Sequence, residues 1–93
     1  MDNSEAKALL RDHLQTYRHR TYRELVGLIG KPQVVEFRGA SSATYQVEVE
    51  VRWDDRSGGA VRILGSIDDG GWRAFKPFCD DFIMAPDGTF VGE

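Results

Sequence analysis

Tyr45, Val47, Val49, Val51 and Trp53 alternate along the chain with Thr44, Gln46, Glu48, Glu50 and Arg52. A period of two sends the first set to one face and the second to the other, so this stretch predicts an antiparallel strand over about 43–53 with one buried and one wet face. Shorter versions flank it. Val35 and Phe37 oppose Glu36 and Arg38 over 33–38, and the turn residues Gly39 to Ser42 follow. Beyond the loop Asp54 to Gly59, Val61, Ile63 and Ile67 mark a third strand over 60–67, with Arg62 and Ser66 facing outward. The Asp69-Gly70 pair tolerates positive φ and predicts a tight turn into a strand over 71–76. Pro77 has no N–H to give a ladder, so that strand ends there or lies at an edge. Phe82-Ile83-Met84 and Thr89-Phe90-Val91 flank Ala85-Pro86-Asp87-Gly88, a turn sequence that predicts a terminal hairpin over 82–91.

The first thirty residues follow a different period. Ala6, Leu10, Leu14 and Tyr17 recur at helical spacing beside the polar Lys7, Arg11, Gln15 and Arg18. With Ser4 as the expected N-cap and Glu5 in the first turn, they predict a helix over 4–18. Thr21-Tyr22-Arg23-Glu24 reads as a capping box. Tyr22, Leu25, Val26 and Ile29 supply the stripe of a second helix over 22–29, which Gly30 and Pro32 stop. At two turns it depends on packing for its stability.

Helices that precede a strand meander give an α+β fold rather than a parallel βαβ one. The expectation is a single domain over 1–93: two N-terminal helices packed on one face of a four- to five-stranded antiparallel β-meander. The order of two helices followed by a curved meander is similar to the ligand-binding cones of the nuclear-transport-factor-2-like superfamily. That likeness of topology implies a pocket between the first helix and the sheet, near His13, Tyr17 and Tyr45.

Ninety-three residues hold one core and no more. A 41% hydrophobic content excludes intrinsic disorder, and no long uncharged apolar run suggests a membrane span. The acids in the first ten residues do not fit a secretory signal, and a lone Cys79 excludes an internal disulfide, so the expected location is cytoplasmic. The net charge of -3 argues against a nucleic-acid partner. Residues 1–30 carry five Lys/Arg against four Asp/Glu, and the only basic cluster lies there, around Arg18, Arg20 and Arg23. It is a candidate site for a small anion or an acidic protein surface.

Candidate chemistry is thin. His13 falls inside the apolar stripe of the first helix, where a core-edge role is the simpler reading. Cys79 stands beside two carboxylates rather than the base or positive field that a nucleophilic thiol needs. The doublets Asp54-Asp55, Asp68-Asp69 and Asp80-Asp81 sit near turns and match no calcium loop. No metal or cofactor is expected. The stretch Trp72 to Met84 is different, because it gathers Trp72, Phe75, Phe78, Phe82, Ile83 and Met84 without clean alternation. Aromatic residues and Met are favoured at interfaces, which makes Trp72, Phe75, Phe78, Phe82 and Met84 the candidate contact residues. The expected function is that of a small non-enzymatic binding or regulatory domain acting through protein contacts, as a homodimer or with another protein. The aromatic segment or an open sheet edge would make the contact. The alternative is a small-ligand-binding or enzymatic cone.

Overall fold

The computed structural model describes residues 2–70 and 77–93. Among them the order is α1 (Asn3–Arg18), α2 (Tyr22–Val26), β1 (Gln33–Arg38), β2 (Thr44–Trp53), β3 (Val61–Asp68) and β4 (Phe78–Met84). The four strands form one antiparallel sheet in the order β1-β2-β3-β4, so each strand pairs with its neighbour in sequence. This is the expected α+β class.

The first helix begins one residue earlier than expected, and its cap lies two residues earlier. Asp2, not Ser4, is the N-cap, and its carboxylate accepts the Glu5 N–H at 3.0 Å. A carboxylate at that position also meets the positive end of the helix dipole, which a serine hydroxyl does not. The stripe Ala6, Leu10, Leu14 and Tyr17 is buried as its spacing requires. In α2 both halves of the capping box are present: Glu24 N–H donates to Thr21 Oγ1 at 3.1 Å, and Thr21 N–H donates to Glu24 Oε1 at 2.9 Å.

The second helix stops at Val26 rather than at residue 29. Leu28 N–H bonds Leu25 C=O and Ile29 N–H bonds Val26 C=O, each three residues back. This tighter winding carries Ile29 to a bridge with Val51, and Gly30 then reverses the chain at φ 78°. Packing of Ile29 against the sheet wins over one more turn of helix.

In β2 the alternation is complete: Tyr45, Val47, Val49 and Val51 are buried and the residues between them exposed. Register continues that face across the sheet, with Val35 opposite Val47, Val51 opposite Ile63 and Ile63 opposite Phe82. Of these, Val47, Val51, Ile63 and Phe82 share one core with Ala6, Leu10, Leu14, Tyr17 and Leu25. Leu10 and Leu14 lie over Gly65 of β3.

Two strand expectations change. The one over 71–76 lies outside the described residues. Of the hairpin over 82–91, Phe82 to Met84 are the second half of β4. The return arm is reduced to a single bridge between Met84 and Phe90, so the described residues contain no fifth strand. The turn between them closes as its Pro and Gly suggest, with Ala85 N–H bonded to Thr89 C=O. Pro77 stands immediately before β4, where its missing N–H costs the ladder nothing.

Candidate functional site

Three groups of residues were singled out by sequence, and the fold treats them differently. Of the aromatic segment, Trp72 and Phe75 lie outside the described residues. Phe82 and Met84 are core residues, 4% and 2% exposed, so neither offers surface to a partner. Their inward direction follows from register, since Phe82 sits opposite Ile63 and Met84 opposite Val61. Phe78 is half-buried, with the Lys7 ammonium 4.9 Å from its ring centre.

The basic cluster does not converge. The Arg18 guanidinium packs over the edge-to-face pair of Phe82 and Phe90, 4.7 and 4.6 Å from their ring centres, and donates a fork of two hydrogen bonds to Glu93 at 2.8 and 2.7 Å. Its anion is therefore supplied by the chain itself. A forked carboxylate pair beside aromatic rings suits arginine's flat, delocalised charge. Arg20 packs over the Tyr17 ring at 4.5 Å, and Arg23 is exposed on α2.

His13, Tyr17 and Tyr45 present no shared set of polar groups. His13 stands edge-on to Tyr17 and to Phe37, with centroids 5.4 and 5.2 Å apart. Its Nε2 is buried and has no hydrogen-bond partner. Burial, with Arg20 adding to it, holds the imidazole below its ordinary value of 6.5. The Tyr45 hydroxyl donates to Glu5 at 2.7 Å, and Glu5 also accepts the Ser41 hydroxyl at 2.5 Å and the Ser41 N–H at 2.9 Å. These bonds, led by the Ser41 hydroxyl, lower the Glu5 carboxyl to about 2. They tie the first turn of α1 to the β1–β2 turn. A hollow of about 290 Å³ does exist between Lys7, Leu10 and Arg11 of α1 and Phe78, Cys79 and Asp80 of β4. None of the three pocket candidates lines it, and its size is at the floor of small-molecule sites.

Of the carboxylate doublets, Asp54, Asp68 and Asp81 serve turns and ties, as does Asp87. Asp68 accepts the Gly70 N–H at 2.8 Å, and Asp87 accepts the Thr89 N–H and hydroxyl at 3.0 and 2.6 Å. Asp54 and Asp81 both bind Arg62 on the outer side of the sheet.

The outer side of the sheet carries a further candidate surface among the described residues. In β1 the outward residues are Val34, Glu36 and Arg38, and Val34 is 55% exposed. Register lines Val34 up with Glu48, Ser66 and Cys79 across all four strands. The signal was present in Gln33 to Arg38, where Val34 shares the parity of two charged residues. No family model, curated protein or solved structure matches the chain.

Proposed function

We propose that this chain is a small non-enzymatic binding domain that acts through protein contacts made by the outer side of its sheet and the β1 edge. The reading takes both helices as covering the inner face, which leaves the outer one to partners. One observation carries it: β1 is an end strand among the described residues, and it holds an exposed valine, Val34, on its outer side. An end strand offers a row of backbone donors and acceptors, and apolar surface beside it favours a partner over water.

The chemistry inside the molecule supports the same reading. Groups displaced from their ordinary pKa are candidates for catalysis, but structural ties displace them too. Here Glu5 is held by Ser41 and Tyr45, Glu93 by Arg18, and Glu24 by the Thr21 end of its capping box. Each stands in a tie that joins elements or ends a helix.

The test is photo-crosslinking in the cells that make the protein. Val34→p-benzoylphenylalanine is expected to give a discrete protein adduct, while the same substitution at Gln15, exposed on α1, gives none. No adduct from position 34, or equal adducts from both positions, overturns the reading.

A further inference from the structure

We propose that the occupant of the β1 edge is β1 of a second copy, joined antiparallel about a two-fold axis at Phe37. The inference rests on the protein-contact reading and names its partner.

The backbone sets which atoms are free. Gly39 N–H donates to Ala43 C=O at 2.8 Å, so this pair bonds across the β1–β2 ladder. Antiparallel pairs alternate between bonded and non-bonded, so bonding recurs two residues on, at Phe37 with Tyr45 and at Val35 with Val47. The peptide groups of Val34, Glu36 and Arg38 therefore point away from β2, toward the edge that no other described strand pairs with.

A two-fold mate must pair these even-numbered residues with one another. With the axis at Phe37, Glu36 faces Arg38 of the second copy and Arg38 faces its Glu36. Opposite charges directly across an antiparallel pair stabilise it, and the symmetry supplies this pair twice. Phe37 then meets Phe37 on the helix side of the joined sheet. Moving the axis to Glu36 adds a bonded pair but sets Glu36 against itself, which like charges oppose. Among the described residues neither Glu36 nor Arg38 enters an ion pair, and both are exposed, so their charges are available. A strand reading Glu-Phe-Arg is thus its own complement when reversed.

The experiment is light scattering on the full chain over a dilution series at low salt. Wild type is expected at twice the chain mass when concentrated, falling to one on dilution. Glu36→Lys and Arg38→Glu each replace two attractive pairs by two repulsive ones, and each is expected to weaken the dimer by about tenfold or more. An equimolar mixture of the two variants restores the dimer, because the lysine introduced in one copy then faces the glutamate introduced in the other. Native circular dichroism in both variants is expected, since both positions are exposed. A wild type that stays monomeric, single variants as dimeric as wild type, or a mixture that stays monomeric overturns the inference. The crosslink at position 34 separates it from the broader reading. An adduct of two copies supports both; an adduct with a different protein overturns self-pairing alone; no adduct overturns both.

Discussion

A β-carbon on Gly65 would stand 2.8 Å from Leu10 Cδ1 and 3.0 Å from Leu14 Cδ2. Gly65 occupies an inward position of β3, opposite Val49 and Asp80, and the Leu10 and Leu14 side chains of α1 fill the space where its side chain is missing. Gly65→Ala forces the two leucines aside in a packed core and is expected to cost about 1–3 kcal/mol. Leu10→Ala alone is expected to cost about 2–5 kcal/mol through the cavity it leaves. Together they should cost less than the sum, because the added methyl enters the space that Leu10 vacates. Urea denaturation of the three variants checks this, and strict additivity would count against the contact.

Glu5 makes the first helix sensitive to acid. Its carboxyl titrates at about 2 in the folded chain against an ordinary 4.5. Between those values the unfolded chain binds the proton and the folded chain does not, so stability rises with pH across that range. The contribution is complete above 4.5 and is lost as pH falls toward 2. Glu5→Gln removes it. Wild type should exceed the variant in stability at about pH 6, and the gap should close as the solution is acidified to about pH 3. A gap of constant size would mean that Glu5 acts through packing rather than charge.

How much of this was legible depends on how far apart the cooperating residues lie. The β2 alternation and the Thr21–Glu24 box are encoded within a few residues, and both stand in the structure as read. Strand β4 was hidden by one residue. Phe78, Asp80, Phe82 and Met84 share the inward parity, but Asp80 interrupts the apolar series and breaks the period. The aromatic content then resembled an interface when Phe82 and Met84 were core. The end of α2 was decided by Ile29 meeting Val51, a contact that no helix signal contains. Arg18 and Glu93 are 75 residues apart. No local pattern announces such a pair, so Arg18 read as a free cation.

That pair makes a prediction about the segment after β4. Val91 N–H bonds Ile83 C=O at 2.9 Å, and Glu93, two residues on, is held by Arg18. Glu93→Gln removes the charge that the guanidinium fork receives and is expected to loosen the segment. The Val91 amide should then exchange with deuterium several-fold faster, while amides of central β2 keep their protection. Arg18→Lys should act the same way, since an ammonium neither forks to a carboxylate nor stacks as a flat group on a ring. Unchanged Val91 exchange in both variants would show that the Phe90 and Val91 contacts hold the segment without the ion pair.

His13 gives a second pH response, of the same sign but in a different window. Its ring lies against Tyr17 and Phe37, its Nε2 is buried without a partner, and Arg20 is the charge acting on it. Each of these disfavours the imidazolium, so the folded value lies below 6.5. As pH falls through 6.5 the unfolded chain takes up a proton that the folded chain refuses, and stability declines until the folded value is reached. His13→Phe keeps an aromatic ring in the same edge-on setting but cannot titrate. Denaturation at about pH 7.5 and about pH 5.5 should therefore show wild type losing ground to the variant on acidification. Glu5 stays charged throughout that interval, so its own effect does not enter the comparison. Parallel profiles for the two proteins would place the imidazole in contact with water and remove the argument from burial.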